Sequence, residues 1–192
     1  MIWNNPNLIK VLKDGGVAVM PTDTIYGIVG RAQNLATVEH IYALRKRSPN
    51  KPCIILIGNI NELEKFSISL SQQQQSKLKE SLFNLSGIEG SEPLSIVLDC
   101  PDDAFAFLHR GTNTLAFRVP LNEELRNLLI QTGPLIAPSA NIEDMPPVQN
   151  IDEAKKYFGN SVNLYVDGGA IAGKASKVIR LNKDGTVTVV RE

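Results

Sequence analysis

The chain is 192 residues long, enough for one domain with one sizeable core. Hydrophobic residues make up 43% and charged residues 21%, which excludes a disordered chain. Lys plus Arg and Asp plus Glu each total 20, so no net field draws the protein onto nucleic acid or anionic membrane, and any anion site must be a local cluster.

The first residues, Met1-Ile2-Trp3-Asn4-Asn5-Pro6, lack the basic flank and apolar stretch of a secretion signal. No segment approaches the ~20 apolar residues of a membrane span, so the expectation is a soluble, cytoplasmic chain that contacts no membrane. Residues 7–13 read as a short amphipathic helix stopped by Gly15-Gly16, and Val17-Ala18-Val19-Met20 as a buried strand ended by Pro21. From Asn34, a candidate N-cap, Leu35, Val38, Ile41, Tyr42 and Leu44 recur at helical spacing until Arg45-Lys46-Arg47, with Pro49 and Pro52 as stops. Cys53-Ile54-Ile55-Leu56-Ile57 is the next strand, which makes strand, helix and strand a crossover unit.

Residues 71–83 predict a surface helix, and helices are expected near 123–131 and 152–158. Further strands are expected at 94–98, 115–119, 135–137, 164–166, 178–181 and 187–190. Alternating helices and strands with back-to-back strands near the C-terminus give an α/β fold, a twisted mixed β-sheet covered by helices, as a single domain over 1–192. Cys53 and Cys100 sit in apolar runs and read as buried thiols of a reducing compartment.

Three segments carry chemistry. Arg45-Lys46-Arg47-Ser48-Pro49-Asn50-Lys51-Pro52 is either a phosphate clamp or a solvated basic helix end. Pro138-Ser139-Ala140-Asn141 follows a strand, where hydroxyl, amide and free backbone N–H groups can meet an anion or simply form a turn. Pro21-Thr22-Asp23-Thr24-Ile25-Tyr26-Gly27 offers hydroxyls, one carboxylate and a phenol, an inventory suited to a small zwitterion or to a capped turn. His40 and His109 each stand alone, and no Walker lysine, GxGxxG run or metal-ligand spacing occurs. An enzyme built from these parts works by positioning and electrostatics.

In order along the chain, these segments resemble the YrdC-like (TsaC) family of threonylcarbamoyl-AMP synthases. The matching stretches are Pro21 to Gly27, Arg45 to Pro52, Ala116-Phe117-Arg118-Val119-Pro120, Ala137 to Asn141, and Ser176-Lys177-Val178-Ile179. The resemblance implies a YrdC-like fold with a concave, positively charged groove. It also implies a nucleotidyltransferase that converts L-threonine, bicarbonate and ATP, with Mg2+, into threonylcarbamoyl-AMP and pyrophosphate. Other proteins then transfer the threonylcarbamoyl group to adenosine 37 of tRNA.

By position the resemblance makes Arg45 and Arg47 catalytic, and Arg47, Lys51, Thr114, Ser139, Asn141 and Arg191 contacts for ATP. Thr22, Thr24, Arg118, Ala137 and Ser176 would surround threonine, with Arg118 the partner of its carboxylate. No resident metal ligands are implied.

The chain departs from the pattern in three places. Arg45 stands where the family has lysine, a WPGP-like segment is not recognisable in residues 87–95, and Ile142-Glu143-Asp144-Met145-Pro146-Pro147 brings two acids after the Ser-Ala-Asn loop. Those acids repel phosphate unless they turn outward or hold magnesium. A diverged paralogue that binds nucleotide, tRNA or double-stranded RNA without turnover is the alternative. A carbamoyl-adenylate chemistry like that of hydrogenase-maturation carbamoyltransferases is a lesser one.

Overall fold

The computed structural model describes residues 2–85 and 92–192. Along the chain, α1 (Pro6–Lys13), β1 (Ala18–Pro21) and β2 (Tyr26–Arg31) lead to α2 (Leu35–Arg45), β3 (Ile54–Leu56), α3 (Gln72–Leu85) and β4 (Leu94–Asp99). Then follow α4 (Ala106–His109), β5 (Thr114–Arg118), α5 (Glu123–Thr132), β6 (Leu135–Ile136), α6 (Ile151–Phe158), β7 (Leu164–Tyr165), β8 (Lys177–Leu181) and β9 (Val187–Arg191). Asn5, Asn34, Asn122 and Asn150 start α1, α2, α5 and α6, each side-chain oxygen accepting from first-turn N–H groups that have no partner within the helix. Gly15, at φ +82°, takes the left-handed turn beyond α1.

The strands form one mixed sheet in the order β7-β1-β2-β6-β3-β5-β4-β8-β9. Two expectations need correction. The strand that feeds α2 is not β1 but β2, which returns antiparallel to β1 after the Thr22–Ile25 turn. β2 and β3 both pair antiparallel with β6, so the crossover joins two parallel strands with β6 between them. Second, α2 ends before either proline, at Lys46, whose left-handed backbone (φ 49°) turns the chain out of the helix.

Side-chain alternation divides the sheet's two faces. On one face Val19, Ile28, Ile55, Ile96, Leu98, Leu115, Phe117, Ile136 and Ile179 pack under α2, α3, α4 and α6. On the other, Ala18, Met20, Val29, Leu56 and Leu135 pack under Leu8 and Leu12 of α1 and Leu125, Leu128 and Leu129 of α5. The helices of this second layer stop at the β3 end. Beyond them the same face presents Ile54, Val97, Thr114, Ala116, Arg118, Val178 and Arg180 to a cavity instead of to a helix. The first face is covered more fully than the second, and at the edge β9 is exposed throughout.

Close packing also fixes β2 against α2. A Cβ on Gly30 would stand 2.3 Å from Thr37 Cγ2, so only glycine lets the helix lie this near the strand. Among the described residues, no helix is long and apolar enough to cross a membrane.

Candidate functional site

The cavity measures about 730 Å³, a size suited to a small-molecule ligand. Its walls come from the ends of several strands, and among its described lining residues are Arg47, Arg118, Arg180 and Arg191 but no carboxylate.

The Thr22–Ile25 turn closes one end. Thr22 N–H and Oγ1 both donate to Ile25 O, at 3.1 and 2.8 Å, and the Thr22 and Thr24 hydroxyls lie 2.9 Å apart. Both threonines are buried yet line the cavity, so their oxygens are fixed before any ligand arrives. Arg118 enters from the end of β5. Its Nη2 lies 3.0 Å from Asp23 Oδ1, with both side chains 5% exposed, and 3.3 Å from Thr24 Oγ1.

That ion contact is poorly aligned. Neither Asp23 oxygen has a hydrogen bond, and Arg118 Nε is buried with no partner. Burial lowers the Arg118 guanidinium from its ordinary value while Asp23 raises it. A buried donor without an acceptor is costly.

Opposite stands the loop after β6. Ser139 bridges to Gly27, and Ala140 N donates to Tyr26 O at 2.9 Å, which sets this loop beside the start of β2. Arg45 lies beneath it, 2% exposed. Its Nε donates to Asn141 O at 3.0 Å, and its Nη2 to Asn141 Oδ1 at 2.9 Å and to Ser139 Oγ at 3.2 Å. Burial, reinforced by Arg47, pushes the Arg45 guanidinium down to about 10.

The β8 side is equally fixed. Ser176 Oγ lies 2.8 Å from Ser95 Oγ, and Arg191 Nη2 donates to Ser176 O at 2.7 Å. Tyr26, fully buried, accepts from Gly168 N at 2.9 Å and donates to Gly169 O at 2.8 Å, tying the segment that leads to Ser176 against the turn.

The structure therefore brings Thr22, Thr24, Arg47, Thr114, Arg118, Ala137, Ser139, Ser176 and Arg191 to one cavity. Arg45, Lys51 and Asn141 stand behind it. Asn141 is buried and donates to Ile142 O and Met145 O, and Lys51 pairs with Glu143 Oε1 at 2.6 Å. The sequence reading missed Thr112 and Arg180, which also line the cavity. Period-two spacing from Ser176 through Val178 reaches Arg180, and from Thr114 back reaches Thr112, so alternation held the signal.

The profile of the Sua5/YciO/YrdC family, described as "Telomere recombination", matches residues 10–192. The chain belongs to this family. A threonylcarbamoyl-AMP synthase of Chromohalobacter salexigens is 29% identical over 170 residues, 87% of this chain and 85% of that protein. The structure of P. abyssi Sua5 complexed with L-threonine superimposes with a TM-score of 0.80 at 24% identity, covering 96% of this chain and 52% of that one. E. coli YciO superimposes with a TM-score of 0.78 at 23% identity, covering 97% and 87%. These two likenesses speak to the Sua5/YciO/YrdC fold, and the chain spans about half the length of the P. abyssi protein.

The structure answers one sequence question about this family member directly. Glu143 neither turns outward nor faces the cavity but closes on the basic loop, while Asp144 is exposed at φ +66°. Residues 87–91 of the unrecognised WPGP-like segment lie outside the described residues, and Ser95 at its end is the residue that holds Ser176.

Proposed function

We propose that this chain is an L-threonylcarbamoyladenylate synthase, forming threonylcarbamoyl-AMP and pyrophosphate from L-threonine, bicarbonate and ATP. The observation that carries this reading is Arg118, which lines the cavity with Thr22 and Thr24, donates from Nη2 to Thr24 Oγ1 and leaves its buried Nε without an acceptor. A threonine carboxylate on Arg118 would complete it, leaving the amine and hydroxyl of the ligand among Thr22, Thr24 and Ser176 near Ala137. The names of the relatives and the threonine bound to P. abyssi Sua5 support the same assignment.

ATP would then lie with its phosphates toward Arg47, Ser139, Thr114 and Arg191, bringing magnesium with it as part of the substrate. The carbamate formed from threonine's amine and bicarbonate, with loss of water, attacks the α-phosphorus, the α–β bridging oxygen leaves with pyrophosphate, and no protein nucleophile is needed. Holding the reactants together replaces several kcal/mol of barrier, and the arginines stabilise charge moving onto the leaving group. Arg45 acts as a positioning residue, because its Nε and Nη2 are committed to the Ser139–Asn141 loop, while its Nη1 is buried without a partner. The product would pass to proteins that modify adenosine 37 of tRNA. Direct RNA binding through the basic run is disfavoured, since Arg45 is buried and Lys51 is already paired.

Threonine and threoninamide, titrated calorimetrically in the presence of a non-hydrolysable ATP analogue, test the reading. Threoninamide keeps the amine and hydroxyl but lacks the charge Arg118 needs, and it should bind about 100-fold more weakly. Equal binding of the two would remove Arg118 from the threonine site.

A further inference from the structure

Two segments far apart in sequence close on each other behind the cavity. The Glu143 backbone N donates to Arg45 O at 2.7 Å, and the Glu143 carboxylate accepts from Ser48 N at 2.5 Å and from Lys51 Nζ at 2.6 Å. A backbone N–H and an ammonium converging on one anion form the donor set of a phosphate site. Here the chain's own carboxylate is seated on it. The Glu143 carboxyl is held below the ordinary carboxylate range, first by the Lys51 hydrogen bond and then by Ser48 N–H.

Exposure shows how a competitor can enter. The Lys51 side chain is 59% exposed and that of Glu143 17%, so solvent reaches the lysine side chain more freely than the glutamate. The cavity wall is coupled to this contact, because Arg47 lines the cavity while its Nε and Nη2 hold Lys51 O and Pro52 O, both at 3.0 Å.

We propose that Glu143 is a resident anion that occupies the Ser48 N–H and Lys51 donors, so that a polyphosphate chain gains them only by displacing it. Glu143 is thereby a specificity-determining residue that weakens the basic loop for polyphosphate. The inference rests on the reading of this loop as the phosphate end of the site.

The test uses inorganic tripolyphosphate titrated calorimetrically, at low ionic strength, into the full chain and into Glu143→Gln. Glutamine keeps an acceptor for Ser48 N–H and nearly the same volume but carries no charge. Removing one opposing charge at contact distance should tighten tripolyphosphate about tenfold. In the wild type, the Ser48 amide resonance should move as tripolyphosphate replaces the carboxylate. A variant that binds no tighter, or a Ser48 amide that stays in place at saturation, overturns the proposal. A lower melting temperature with unchanged tripolyphosphate affinity also overturns it, since Glu143 then acts as a structural clasp alone. Equal binding of threonine and threoninamide would instead count against the synthase reading and leave a tighter tripolyphosphate result intact.

Discussion

Arg118→Met is expected to destabilise the fold by about 3–5 kcal/mol, because it strands a buried carboxylate. The Asp23 side chain is 5% exposed, and Arg118 is the cation that faces it. The double variant Asp23→Asn, Arg118→Met removes both charges and should recover most of the lost stability. It should not recover threonine binding, which is expected to weaken at least about 100-fold in both variants. Denaturant unfolding reads the first effect and calorimetric titration the second. If the double variant bound threonine normally, the Asp23–Arg118 pair would be a structural device unrelated to the ligand.

The second large effect is expected at Arg45. Arg45→Lys restores the residue that the family resemblance places there, yet it should loosen the site rather than repair it. Lysine has one donor head where the guanidinium reaches Asn141 O, Asn141 Oδ1 and Ser139 Oγ together. Leaving part of this buried set unsatisfied costs about 1–3 kcal/mol. The KM for ATP should rise with the displacement of Ser139, while the KM for threonine changes little. Unchanged stability with faster turnover would mean that a lysine at 45 extends into the cavity and that the clamp is dispensable.

Much of this architecture was legible before the structure. The asparagine caps, the period of α2 and the β-branched runs of β1 and β3 are local signals, and each element formed where its signal lay. β2 was not legible, because Tyr26-Gly27-Ile28-Val29-Gly30-Arg31 carries two glycines and adjoins a turn motif. Its glycines answer to tertiary neighbours, as the approach of Thr37 to Gly30 shows. Nor could spacing reveal which motif residues face the ligand. Arg45 reads as one cation among four in a loop, and only the fold shows it turned beneath the Ser139–Asn141 loop. The Glu143–Lys51 contact joins residues 92 positions apart, beyond the reach of any local pattern.

The most direct test of the central claim is pyrophosphate release by the purified chain with ATP, magnesium, bicarbonate and L-threonine, with the nucleotide product identified by mass spectrometry. The account predicts release that needs both threonine and bicarbonate and a product with the mass of threonylcarbamoyl-AMP. Release that ignores threonine, or ATP binding with no pyrophosphate formed, would contradict it.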